Sequence, residues 1–186
     1  MDEGDPNYDL FKLAIRVAAQ RMNPTSSFMD SSFNKPYDGE VAYMGCRTRV
    51  IANRHGEAKT TGRGNLSFTT INLPRIAIKS ERNIMQFYQK LDHMLELVGE
   101  QLYHRYEVQS RLRISDLPFL MGQGIYMDSE KLGVNDVIKE VIKHGTLTIG
   151  FIGLAETLIS LTGKHHGESE ESLQLGEEIV AFMRKK

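Results

Sequence analysis

Thr146-Leu147-Thr148-Ile149-Gly150-Phe151-Ile152-Gly153-Leu154-Ala155-Glu156 is the stretch that decides the fold. Its first seven residues favour a strand through their β-branched and aromatic side chains. Gly153 has backbone angles open to it that other residues avoid, and Leu154 to Leu161 follow at helical spacing. Strand, glycine turn and helix in that order form one α/β unit. Just upstream, Asn135 or Asp136 can open a helix through Val137, Ile138, Val141 and Ile142, which His144-Gly145 closes. Before it, Ile84, Phe87, Tyr88, Leu91, Leu95, Val98 and Leu102 recur every three or four residues and predict a long amphipathic helix between Glu81 and about Gln109. Leu66 to Leu73 is β-rich and ends near Pro74. Downstream, Ser169 is placed to cap a last helix carrying Leu173, Leu175, Ile179, Val180 and Met183. The predicted class is α/β with mostly parallel strands, whose functional groups lie at strand C-terminal ends.

The N-terminal third has a different texture. Leu10, Phe11, Ala14, Val17 and Ala18 predict a helix over about 6–22, with Asp5-Pro6 as cap and first-turn proline. It stops at Asn23-Pro24, because a residue before proline is pushed out of the helical region. Pro24 to Gly39 is a Ser-, Asn- and Pro-rich loop. Val41 to Ile51 then suggests a short strand leaving an irregular turn at Gly45, beside the sole cysteine, Cys46. That cysteine is expected on a loop rather than in a packed core.

Composition narrows the classes of function. The 186 residues favour one compact unit, and 23 Lys+Arg against 24 Asp+Glu leave a formal charge of -1, so no bulk charge draws the chain to nucleic acid or an anionic membrane. No apolar run approaches the roughly 20 residues of a membrane span, and the acidic, polar start is unlike a secretory signal. One cysteine allows neither an internal disulfide nor a cysteine-based zinc cluster, and a reducing cytoplasm is the expected compartment.

Five blocks carry a family signature: Met44-Gly45-Cys46-Arg47, Gly64-Asn65-Leu66, Asn72-Leu73-Pro74-Arg75-Ile76-Ala77, Gly150-Phe151-Ile152-Gly153-Leu154-Ala155-Glu156, and Gly163-Lys164-His165-His166-Gly167-Glu168-Ser169. In this order, over about residues 5–184, they resemble the anaerobic (class III) ribonucleoside-triphosphate reductases. The resemblance implies a glycyl radical enzyme, built as a barrel of two parallel half-sheets with a finger loop through its centre. It places the finger loop at about residues 40–64 and the second half-barrel at about 65–186, together one partial domain. Cys46 matches the radical cysteine, whose thiyl takes the 3′ hydrogen of a ribonucleoside triphosphate before the 2′ hydroxyl leaves as water. Met44 matches a methionine beside it in the formate-using branch.

Asn65 carries an amide able to donate and accept towards a substrate, or simply to hold its turn. Glu156, in a first helical turn past a strand end, is placed to reach sugar hydroxyls, or to serve only the helix dipole. Gly153 belongs to a Gly150–Gly153 turn whose N–H groups suit phosphate. Phe151 stands where some relatives have tyrosine, which removes a phenol. His165-His166 completes no zinc spacing and reads as a loop. Of Arg47, Arg49, Arg54, Arg63 and Arg75, most are expected to be solvated surface charge.

By the same resemblance the parent enzyme uses formate, a stored glycyl radical, and an activase that depends on S-adenosylmethionine and an iron–sulfur cluster. Nothing here matches the glycyl-radical loop, so the chain is expected to be an internal or truncated segment. Alone it is expected to be inactive, to self-associate or to bind the remainder of the reductase. A different glycyl radical enzyme and a non-catalytic assembly module are the alternatives.

Overall fold

The computed structural model describes residues 2–37, 39–45 and 48–186. Cys46 and Arg47 therefore lie outside the described residues, and so does the expectation that Cys46 sits on a loop. Contacts divide the chain into two compact units, Met1–Ala52 and Asn53–Lys186, where length alone suggested one. The division falls within the stretch expected to be the finger loop.

The first unit opens with α1 (Tyr8–Arg21). The helix starts later than Asp5-Pro6 predicts, because Asn7 takes a left-handed conformation and forms the boundary without a side-chain cap. None of its residues is buried: Leu10, Leu13 and Val17 are exposed despite their helical spacing. The expected single strand is a small ribbon, β1 (Ala42–Tyr43) antiparallel to β2 (Arg49–Val50). The Met44 N–H also donates to the Thr48 carbonyl at 3.0 Å.

The second unit is a strand–helix–strand arrangement. β3 (Asn65–Asn72) and β4 (Thr146–Ile152) pair in parallel, from Asn65 opposite Thr146 to Asn72 opposite Ile152. α2 (Leu73–Ile78) begins where β3 stops, because the Asn72 Oδ1 accepts from the Arg75 N–H at 3.0 Å and Pro74 fits the first turn. α3 (Ile84–Ser110) then runs 27 residues, close to the predicted span, and buries Phe87, Leu91, Leu95, Val98 and Leu102 as one stripe. Ser67, Thr69 and Ile71 face it. The Arg105 Nη1 donates to the Ser67 Oγ at 2.8 Å, and Thr69 Oγ1 lies 3.2 Å from Gln101 Oε1. The chain returns through α4 (Pro118–Met121) and α5 (Lys139–Ile142). α5 is only four residues, shorter than the predicted helix. Val137 is spent on a bridge to Arg113, and the Asp136 carboxylate accepts from the Gly133 N–H. At Gly145, after the helix, a Cβ would meet the Leu66 Cγ at 2.6 Å, so glycine is needed for this close approach.

β4 leads through Gly153 into α6 (Leu154–Thr162), and α7 (Glu170–Lys185) closes the unit behind a Ser169 cap. Leu158, Leu175 and Ile179 join the α3 stripe in the main core. The alternation of β3 leaves Phe68, Thr70 and Asn72 on the other side of the sheet, level with Thr148, Gly150 and Ile152. Phe68 and Ile152 are each 61% exposed, so that face is bare among the described residues. The architecture is mixed α/β around a small parallel sheet. It has two strands where a half-barrel was expected.

Candidate functional site

The C-terminal end of the ladder gathers most of the expected residues. Gly153 has φ +77, and a Cβ there would meet the Pro74 Cγ at 2.4 Å, so the turn packs directly on the start of α2. The same position is 3.4 Å from the Glu156 Oε2, which places this carboxylate over the turn rather than outward along α6. Gly153 bounds α6 without a side-chain cap, and its carbonyl accepts from the Thr157 N–H and Oγ1 at 2.9 and 2.7 Å. The first-turn amides of α6 therefore lack a side-chain partner at Gly153, as a phosphate or carboxylate acceptor would need. Phe151, 40% exposed, stands beside the buried Ile71.

Asn65 is not brought to this end. It opens β3 opposite Thr146, whose Oγ1 donates to the Asn65 Oδ1 at 3.5 Å, and it lines a cavity of about 270 Å³ with Gln109, Leu112 and Tyr126. At about 3.3 Å per residue, the ladder puts roughly 20 Å between Asn65 and the Gly153 turn. Asn72 is the amide at the level of Ile152. Sequence reasoning passed over it; the signal was present as an Asx residue two before a proline, the pattern of a helix cap ending a strand.

Met44 belongs to the first unit, where it lines a cleft of about 500 Å³ with Phe28, Phe33 and Tyr43. The ribbon there is held by Asn34, which is 1% exposed. Its Nδ2 donates to the Phe28 carbonyl at 2.8 Å and to the Tyr43 hydroxyl at 3.1 Å, while its Oδ1 accepts from the Arg49 Nη1 at 3.0 Å. The Arg49 guanidinium also lies 5.4 Å from the Phe33 ring and 5.7 Å from the Tyr37 ring. The hydrogen bond from Asn34 comes first among the causes that hold the Tyr43 phenol below its ordinary range, with Ser27 and Arg49 adding to it.

Arg49 is thus built into the fold, and so is Arg63, whose Nε donates to the His144 carbonyl at 2.7 Å. These two are exceptions to the solvated surface charge expected for most of the five arginines. His165 is committed to its loop, its Nδ1 accepting from the Gly167 N–H at 3.0 Å. No group of three or more potential metal-binding side chains occurs among the described residues.

The family model for anaerobic ribonucleoside-triphosphate reductase matches residues 1–186. The chain belongs to this family. The anaerobic ribonucleoside-triphosphate reductase of Escherichia coli is 32% identical over 194 residues, covering 98% of this chain and 26% of that protein. The Haemophilus influenzae protein of the same name is 32% identical with the same coverage, and that of phage T4 is 32% identical over 88% of this chain and 28% of its own. The chain thus spans about a quarter of the length of these reductases. The five blocks read from the sequence lie within a single family match.

Proposed function

We propose that this chain gives an anaerobic ribonucleoside-triphosphate reductase the finger loop with its hydrogen-abstracting cysteine, together with part of the parallel barrel around the ribose. The finger loop is then about residues 40–64, and residues from about 65 to 186 belong to the second half-barrel of one partial domain. The bare sheet face and the outer edges of β3 and β4 support this, since further strands would cover and extend them. The observation that carries the reading is the family match over all of residues 1–186, within which Cys46 is the only thiol.

The Cys46 thiyl takes a hydrogen atom from C3′ of a ribonucleoside triphosphate, so an S–H bond forms as the C–H bond breaks. Met44 stands two residues before it. Glu156 binds the sugar hydroxyls as the 2′ hydroxyl accepts a proton and leaves as water. Formate supplies two electrons and is oxidised to carbon dioxide, after which the S–H returns its hydrogen to C3′. Ribonucleotide, formate and one proton thereby give deoxyribonucleotide, carbon dioxide and water. Gly153 leaves the α6 amides open to phosphate, and Phe151 is a candidate substrate contact at the same strand end, on the Ile71 side of the sheet. A glycyl radical made by an S-adenosylmethionine-dependent iron–sulfur activase is the source of the oxidising equivalent; no residue of this chain is assigned to hold it. Asn65 is a candidate substrate contact, but its distance from Glu156 favours Asn72 as the amide beside the carboxylate. The compartment that suits this chemistry is the cytoplasm.

The test is an anaerobic assay with formate, activase and S-adenosylmethionine. Residues 1–186 alone should give no deoxynucleotide, and joining them to the remainder of the reductase should restore turnover. In the intact enzyme Cys46→Ser should abolish reduction, because an alcohol O–H is too strong for the hydrogen shuttle, and Glu156→Gln should lower kcat by two orders of magnitude or more. Turnover that survives Cys46→Ser overturns the proposal.

A further inference from the structure

At the end of the ladder opposite Glu156, basic and aromatic side chains meet around a cleft of about 640 Å³, lined by Arg54, His55, Tyr103, Tyr106, Lys139 and Lys143. That volume lies within the roughly 300–1,000 Å³ of small-molecule sites. Leu66, Ile142 and Leu147 give it an apolar floor. Tyr103 and Tyr106 lie one helical turn apart on α3, their rings 6.1 Å apart and inclined by 33°. Tyr103 is 59% exposed, a large flat face at the cleft without a core to fill. Lys143 is engaged by Glu140 at 2.6 Å, whereas neither Arg54 nor Lys139 has an ion-pair partner among the described residues.

The wall that carries Arg54 and His55 is pinned from behind. Asn53 accepts from the His55 N–H at 3.0 Å and donates to the Glu57 carbonyl at 3.1 Å, and these bonds fix which end of its amide faces inward. Its Nδ2 lies 3.1 Å from the Nδ1 of His144, which is 2% exposed and whose Nε2 meets the Asp128 carboxylate at 2.9 Å. The backbone at Arg54 and His55 is therefore held in place, while the Arg54 side chain itself is exposed.

We propose that this cleft binds a nucleotide, with its base on Tyr103 and Tyr106 and its phosphates on Arg54, Lys139 and Lys143. Cations alone suit any polyanion; the paired tyrosines over an apolar floor add a place for a planar ring. The cleft is distinct from the Glu156 end of the ladder, since it lies at the start of β4, roughly 20 Å of strand away from the Gly153 turn.

The test uses the intact reductase chain and 8-azidoadenosine triphosphate as a photolabel, with the labelled peptide mapped by mass spectrometry. The peptide carrying Tyr103 and Tyr106 should be labelled, protected by ATP, and labelled equally in Glu156→Gln. Reversing both cations, Arg54→Glu with Lys139→Glu, should weaken protection at least tenfold, and the milder Arg54→Gln with Lys139→Gln should weaken it less. Tyr103→Ala should weaken it about 5- to 150-fold, the effect of losing one stacked base, while Tyr103→Phe should not. Absence of label in this peptide, or protection indifferent to both charge pairs, overturns the proposal. If tripolyphosphate protects as well as ATP and Tyr103→Ala changes nothing, the cleft is only a polyanion patch and the nucleotide assignment is wrong.

Discussion

The two ends of the β3–β4 ladder are built on opposite principles. At the C-terminal end the backbone turns on a left-handed glycine, α6 starts without a side-chain cap, and Asn72, Phe151 and Glu156 are exposed. At the N-terminal end Gly145 is packed on Leu66, His144 is buried between Asp128 and Asn53, and a second core of Ile114, Met121, Ile138, Val141 and Ile142 closes the segment. One end leaves an exposed carboxylate over a turn without a side-chain cap, and the other buries a histidine between its two partners. Among parallel strands the chemistry belongs at the first kind of end. The second kind is a clamp, and a ligand cleft beside it inherits a rigid wall.

The sharpest way to break this contrast is Gly153→Ala. A left-handed alanine costs about 1–2 kcal/mol, and the added methyl meets the Pro74 ring, so a loss of about 3 kcal/mol is expected by chemical denaturation, with turnover lost as well. His144→Ala should come next, at about 2–3 kcal/mol, because it empties a buried site and strips the partners of Asp128 and Asn53. Hydrogen exchange should then rise around residues 126–145 and not at the Gly153 turn. Asn72→Ala should cost about 1 kcal/mol through its cap. Asn72→Ser keeps the cap and removes the amide, so unchanged stability with reduced turnover would place Asn72 in the site. Full activity in that variant would return the role to Asn65.

The smallest effect is one of pH. Lys131 first, and His144 after it, hold the Asp128 carboxyl below its ordinary value. A depressed folded-state value means that the stabilisation is fully present above the ordinary carboxylate range near 4 and is lost as pH falls through the lower folded value. Acid unfolding should therefore show a shallower slope below about pH 4 in Asp128→Asn than in the parent chain, with no difference at neutral pH beyond a constant offset.

What the sequence made legible was whatever repeats with a period. The α3 stripe, both parallel strands and the Ser169 cap appear close to where their residues predict, because each is decided by neighbours in the chain. Residues 111–134 offered no period: Leu112, Ile114, Leu117 and Met121 reach their core through short turns and a bridge, which only the folded chain brings together. The Asn65 assignment shows the same limit in the site. Its family block was readable, but its distance from Glu156 depends on strand register, which no local pattern states. Arg49 and Arg63 misled because a guanidinium that supports the backbone looks, in one dimension, like one that faces water.

The parallel pairing also governs the order of assembly. A hairpin closes over a few residues, whereas β3 cannot meet β4 until the long α3 and everything after it have formed a loop of more than seventy residues between Asn72 and Thr146. The entropy of that closure has to be met before a single ladder bond repays it, so α3, whose contacts are local, is expected to form early and the ladder late. The irregularity between Asn65 and Ser67 then acts as a register stop, allowing one alignment in which Ile71 faces the helix. The open face therefore appears at the final step of folding.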